Sequence, residues 1–357
     1  MLASASPRVR RLVLGLLAGG LVLFLTVVVP RILAFGRIFG AHAGVAMTQQ
    51  QVLDAYKAAL AEPDARPKPV PRIIHQVFHN WHDPGNETLP SDWEETRQSC
   101  ILRHPTWEYK VVCRPGRPVA EQPAVLHQPR TFSADGGDLQ LWTERASRRF
   151  IKKEYPWFLG TYDSFEHPVQ RVDTLRYFLI RHFGGVYIDL DNGCQASLEP
   201  LLYYPSWITD GGQGALSNNI IGSEPEHPYW ILMTDSIVPW AGNFVLPYVT
   251  ISYATGQWYE TKIWEQYHAS KPRDAPALLR VMMDSRPTGA KWVFFTAGRG
   301  GTWDNWDNRL FGWVGAHLFQ ATLCGLAALA AVVGFGFAVV QTVLWCQKMR
   351  QGYRALG

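Results

Sequence analysis

The stretch Gly184-Gly185-Val186-Tyr187-Ile188-Asp189-Leu190-Asp191 ends a short apolar run in two aspartates, two residues apart. Side chains alternate along a strand, so Asp189 and Asp191 are predicted to point to the same side. Just past a strand end they leave the core and enter the crevice where α/β sheets bind ligands. Two neighbouring carboxylates repel, and the pair is costly unless a cation sits beside it. A hard divalent ion, Mn²⁺ or Mg²⁺, meets that need, and substrate phosphates usually complete its coordination. The pattern therefore predicts a metal-diphosphate site. Asp-x-Asp also occurs in plain solvated turns, so the reading rests on its surroundings. Asp173 and Arg176 precede it, three apart on a helical stretch. They form either an ordinary surface ion pair or contacts for a sugar hydroxyl and a developing phosphate charge.

The elements that must position these residues follow from periodicity. Val169–His182 is a predicted helix with Val172, Leu175 and Leu179 on one face; Phe183-Gly184-Gly185 stops it, and a buried strand follows. Ile73–Val77 reads as a first strand, Trp93–Leu102 as a helix, Trp107–Val112 as a second strand and Leu141–Tyr155 as a helix. This alternation predicts an α/β domain. Its expected limits are 71–309, with 113–140 as an aperiodic loop insertion rich in Pro, Gly, Arg and Gln. Residues 36–70 are expected to be an amphipathic stem, helical over 42–62, and a Pro-rich linker.

Two apolar runs frame this domain, at 12–35 and 311–346, each long enough to cross a bilayer. Arg8, Arg10 and Arg11 precede the first; Lys348, Arg350 and Arg354 follow the second. The positive-inside rule then puts 1–11 and 347–357 in the cytoplasm and the middle on the lumenal side. Asn86-Glu87-Thr88 is a glycosylation sequon compatible with that side. The net charge of +4, without a basic stripe interleaved with aromatics, gives no support to nucleic-acid binding. Five cysteines stand in no zinc-ligand spacing, and Cys324 and Cys346 lie in the apolar tail. Among Cys100, Cys113 and Cys194 one disulfide is expected in an oxidising compartment, with the pair left open. His79 and His82, three apart, are read as rim histidines rather than a metal pair. No Ser-His-Asp arrangement or Lys-bearing phosphate loop is present.

Ile73-Ile74-His75-Gln76, Tyr155-Pro156-Trp157-Phe158, Arg171-x-Asp173-x-x-Arg176-Tyr177 and Gly184–Asp191 together resemble glycosyltransferase family 32. The resemblance covers about residues 71–307, most densely 151–201. It implies a GT-A-like, Rossmann-type domain, here flanked by two transmembrane helices, acting with retention at the anomeric carbon. Within the family the likeness is greatest to members that mannosylate sphingolipids. That implies GDP-mannose as donor, inositol phosphorylceramide as acceptor, a small membrane regulatory subunit and a place in the Golgi membrane. A mannosyltransferase of protein N-glycan outer chains and a non-catalytic membrane scaffold are the alternatives. By the same resemblance Asp189, Asp191 and Asp304 would hold the metal. Ile74, His75, Gln76, Asp173, Arg176, Tyr177, Asn218 and Asn219 would bind the donor, and Thr255-Gly256 would form a later active-site turn. Gln257 stands where the family commonly has Pro, Asp304 replaces its usual His, and 113–140 interrupts its spacing.

Overall fold

The computed structural model describes residues 11, 15, 18–20 and 22–354, apart from 61–66, 81, 82, 84, 85, 87, 110–141, 274, 299 and 301–304. They divide into two units, one of the two chain ends and one of Arg37–Trp303. The expected loop insertion, Cys113, His82 and Asp304 lie outside the described residues.

In the unit of the chain ends, Ala18–Arg37 and Phe319–Val343 are helical stretches long and apolar enough to cross a membrane. A separate helix, Trp306–Ala316, precedes the long helix Leu318–Arg354, with the break at His317. The expected 311–346 region therefore begins in a different helix from the one that holds its most apolar part.

In the other unit the strands are β1 (Val45–Thr48), β2 (Ile73–His75), β3 (Glu108–Tyr109), β4 (Gly185–Ile188), β5 (Asn192–Cys194), β6 (Ser206–Asp210), β7 (Ser217–Ser223), β8 (Leu279–Met282) and β9 (Phe295–Ala297). The main helices are α1 (Gln49–Ala59), α2 (Ser91–Arg103), α3 (Glu144–Glu154), α4 (Pro168–Phe183), α5 (Pro228–Asp235), α6 (Pro247–Ala254) and α7 (Gln257–Ser270). Seven strands make one sheet in the order β1-β8-β6-β7-β4-β2-β3, and β5 and β9 form a second, two-stranded one. All main-sheet pairings are parallel except those of β7, which runs antiparallel to both β4 and β6.

Alternating side chains send Val186 and Ile188 of β4 into one apolar cluster and Tyr187 into another. Ile220 and Ile221 of β7 divide in the same way. α4 packs on the Tyr187 side, while Val52 of α1 and Cys100 of α2 join the opposite side. Both faces are thus covered, as parallel sheets require, and the expected α/β class is borne out.

Residues 36–70 correct the expectation of a stem. Val45–Thr48 is an edge strand of the main sheet, paired with β8, and Val52 is fully buried. The helical pattern near Val52 is real, with Thr48 and Gln51 forming a reciprocal capping box, but it belongs to the domain. Trp107–Val112 is described as strand only over Glu108–Tyr109.

Candidate active site

α4 is where the site begins. Pro168 opens it and eleven of its sixteen residues are buried, so even its polar side chains are drawn inside. One turn apart, Asp173 and Arg176 meet at 3.1 Å, buried to 4% exposure each. Gly184 then ends the helix at φ +64° and Gly185 follows at +89°. A Cβ on Gly185 would stand 2.6 Å from the Ile73 carbonyl oxygen. Only glycine lets the chain turn this tightly into β4 beside β2.

β4 ends at Ile188, and Asp189 and Asp191 occupy the turn that follows rather than an extension of the strand. The Asp189 N–H donates to the Asn219 carbonyl at 2.8 Å, and Asn192 N–H donates back to the Asp189 carbonyl at 2.9 Å. Both carboxylates line a cleft of about 310 Å³ with Asp173, Arg176, Ser217, Asn218 and Asn219. This is the carboxyl end of parallel β2 and β4, where antiparallel β7 brings in its first residues. Ligands bind α/β sheets in the crevice outside the carboxyl ends of their strands.

The floor is a charge network. Arg176 Nη1 lies 3.4 Å from Asp189 Oδ2 and donates to the Asn218 carbonyl at 2.7 Å. The Tyr187 hydroxyl donates to Asp189 Oδ1 at 2.5 Å, and the guanidinium lies over its ring. Asp173 accepts from Arg176, from Asn218 Nδ2 at 3.2 Å and from the Thr255 hydroxyl at 3.0 Å. Asp191 Oδ1 is buried and has no hydrogen-bond partner among the described residues.

Three carboxylates here face one guanidinium. Burial raises the pKa of Asp173 and of Asp189, with Arg176 opposing in both cases. Asp189 nonetheless keeps 27% of its side chain exposed to the cleft. Asp191 is pushed up to about 6, first by burial and then by the Asp189 charge. A pair of oxygen donors short of positive charge, one oxygen unpartnered, fits a hard divalent cation. Among the described residues no third His, Cys, Asp or Glu joins them.

Not every expected donor contact reaches the cleft. Ile74 is in the core, His75 Nε2 pairs with the Gly184 carbonyl at 2.8 Å, and Gln76 is buried; Val77, Phe78 and His79 line the cleft instead. Tyr177 sits behind the floor, where its hydroxyl donates to the Thr255 carbonyl at 2.8 Å and accepts from Asn218. Gly256 and Gln257 line the cleft while Thr255 supports Asp173 from below. His79 is buried in the wall, its pKa lowered to about 3 by burial and by Arg171, so it is neutral. Sequence reasoning missed Trp93, Tyr248, Ile251 and Ser252, which complete the walls. Nothing in the local pattern of α2 or α6 marks them, since their role comes from tertiary packing, α2 against β5 and α6 against α4 and α7.

Cys100 and Cys194 form a disulfide across 94 residues, and Cys324 and Cys346 are free. That resolves the pairing left open by the sequence.

Residues 90–208 match the family described as glycosyltransferase sugar-binding region containing DXD motif. The chain is 31% identical over 294 residues to a mannosyl phosphorylinositol ceramide synthase of Saccharomyces cerevisiae, covering 80% of this chain and 65% of that protein. It is 34% identical over 259 residues to inositol phosphoceramide mannosyltransferase 2 of Schizosaccharomyces pombe, covering 72% and 64%. The chain therefore spans just under two thirds of these relatives. The solved PaToxG glycosyltransferase aligns at a TM-score of 0.37 and 14% identity, over 62% of this chain and 79% of that one.

Proposed function

We propose a retaining mannosyltransferase that moves mannose from GDP-mannose to inositol phosphorylceramide, starting from the match of residues 90–208 to the DXD-containing glycosyltransferase sugar-binding family. The observation that carries it is the floor of the cleft, where the Asp189 and Asp191 carboxylates stand beside the buried Arg176 guanidinium. The relatives named for mannosyl transfer to inositol phosphoceramide support the sugar and the acceptor.

A divalent ion, Mn²⁺ or Mg²⁺, held by Asp189 and Asp191 would bind the charge of the departing diphosphate. Asp304, outside the described residues, remains the proposed third ligand. Arg176 stays protonated: burial works against its charge, but Asp189, Tyr187 and Asp173 together outweigh it. Its fixed charge meets the leaving phosphate in a site where water is scarce, so little reorganisation is needed. Asp173, held by Thr255 and Asn218, is placed to accept a hydrogen bond from a donor-sugar hydroxyl. The apolar side of the cleft, Val77, Phe78 and Trp93, excludes water that would compete as acceptor.

The bond between the anomeric carbon and the diphosphate oxygen breaks, and a bond to an inositol hydroxyl oxygen forms on the same face. The hydroxyl proton passes to the departing phosphate oxygen. Two membrane-spanning helices would keep the enzyme on the membrane that holds its lipid, raising the effective acceptor concentration. The Golgi, with the catalytic unit lumenal and a small membrane subunit as partner, is the setting we propose.

The test uses the full chain in lipid nanodiscs containing inositol phosphorylceramide, with GDP-mannose and Mn²⁺. Asp191→Ala and Arg176→Ala are each expected to lose about 100-fold or more in turnover. Equal activity in wild type and Asp191→Ala would sink the metal-site assignment, and mannose transfer to no lipid would remove the acceptor.

A further inference from the structure

Asp191 has a peculiar support. Among the described residues its carboxylate receives no hydrogen bond at Oδ1, which is buried, and it is repelled by Asp189 two residues away. Nothing on the side chain itself therefore holds it in place at that oxygen. The backbone around it must do so, and it is held from two sides.

On one side is α2. The Thr96 hydroxyl reaches the Leu190 carbonyl, and it also lies 2.9 Å from the Trp93 carbonyl of its own helix. One turn on, the Ser99 hydroxyl accepts from the Cys194 N–H at 2.9 Å. The next residue, Cys100, is joined covalently to Cys194. On the other side is β9 and the residue after it. Gly298 N–H donates to the Asp191 carbonyl at 2.5 Å, and β5 pairs antiparallel with β9. Between the two, Gly193 has no room for a side chain: a Cβ would stand 2.5 Å from Thr296 Oγ1 and 2.7 Å from Ser99 Oγ. The segment Leu190–Cys194 is thus gripped at its carbonyls, its amides and a sulfur.

Resting on the metal reading above, we propose that Thr96 and the Cys100–Cys194 disulfide are positioning residues for the metal site. Thr96 and Cys100 belong to α2 and Cys194 to β5, all outside the Asp-x-Asp motif, and they set metal affinity by holding the Asp189–Asp191 turn in its binding shape before the cation arrives. A turn left to itself would relax so as to separate two like charges, and cation binding would have to reverse that relaxation. Supports of this kind around metal ligands typically change affinity by about 10- to 100-fold when removed.

The experiment measures Mn²⁺ affinity directly, by titrating the full chain in nanodiscs with Mn²⁺ and GDP and following the electron paramagnetic resonance signal of free Mn²⁺. Four proteins are compared with wild type: Thr96→Val, Thr96→Ser, the Cys100→Ala/Cys194→Ala double variant, and Asp191→Asn. Thermal melting without metal accompanies each. The expected result is about 10-fold weaker binding for Thr96→Val and for the cysteine variant. Thr96→Ser, which keeps the hydroxyl, should bind as wild type does. Wild-type affinity in both Thr96→Val and the cysteine variant, with binding lost in Asp191→Asn, overturns the inference and leaves the metal site standing. Wild-type affinity in Asp191→Asn overturns the metal site itself. Should the cysteine variant fail to fold, the Thr96→Val and Thr96→Ser pair decides alone, because Thr96 is only half-buried and Val has its shape.

Discussion

Glu260 carries a carboxyl that is fully buried and, among the described residues, has no hydrogen-bond partner at either oxygen. It lies on α7, close enough to Arg176, Asp173, Tyr177 and Tyr229 for their charges to be felt. Burial raises its pKa to about 8, with Arg176 opposing and Asp173 adding. At neutral pH it is therefore largely neutral and leaves the Arg176 charge to Asp173 and Asp189. The sign of its effect follows. An acid whose folded pKa is raised lends stability that is fully present below about 4.5 and is lost as pH climbs towards 8. Glu260→Gln cannot ionise, so its melting temperature should hold across that window while that of wild type falls relative to it. The gap between the two, read by thermal melts from pH 5 to 8, should open steadily; parallel curves would remove Glu260 from the account. Glu260 could not be found in the sequence as part of the site, and Thr255 entered only through the family resemblance, as part of a turn and not as the support of Asp173. Asp173, Arg176, Asp189 and Asp191 lie within one helix-turn-strand passage, where spacing alone puts them together. Thr255 reaches Asp173 from 82 residues further on, and such a contact leaves no periodic trace.

The elements that were legible are those whose pattern is complete within themselves. α4 is long, periodic and bounded by Pro168 and the Gly184-Gly185 stop, and its predicted limits fall within one residue of the observed ones. The glycine pair is also where the element can be tested. At Gly185 an alanine would combine a φ of +89° with a Cβ pressed on the Ile73 carbonyl. Gly185→Ala should cost well over about 1 kcal/mol in chemical denaturation, because the backbone cannot relax without moving β4 away from β2. A change smaller than that would mean the β2–β4 pairing tolerates a shift. β1 was illegible for the opposite reason. It is four residues long, half exposed at the sheet edge, and its partner β8 comes from the far end of the domain. A short edge strand takes its identity from its partner, so Val45–Thr48 was absorbed into the helical pattern of α1. The same holds for Asp189 and Asp191. Strand alternation placed them on one side by extending β4, whereas a turn pinned to Asn219 brings them to the same cleft.

At the scale of the molecule, two apolar helices and one disulfide carry a joint implication about the side of the membrane. Bridges such as Cys100–Cys194 are rare where thiols are kept reduced, which favours the proposed lumenal side for the Arg37–Trp303 unit. The expectation from the positive-inside rule points the same way: with both apolar helices spanning, basic flanks at both ends on the cytoplasmic side would leave the middle lumenal. Asn86 supplies a third and separable mark. It is exposed, its sequon is complete, and its side-chain oxygen accepts from the Thr88 N–H at 3.0 Å. A lumenal unit should therefore carry a glycan there. Expression in a eukaryotic host should give a band that drops in mass on endoglycosidase treatment, with Asn86→Gln and Thr88→Ala migrating at the lower position untreated. The same sample, alkylated before and after reduction, should expose Cys100 and Cys194 only after reduction. An unglycosylated Asn86 together with freely alkylated Cys100 and Cys194 would place the catalytic unit in the cytosol and reverse the topology. A missing glycan with an intact disulfide would keep the proposed lumenal side, because an oxidising compartment favours the bridge while the sequon merely permits modification there.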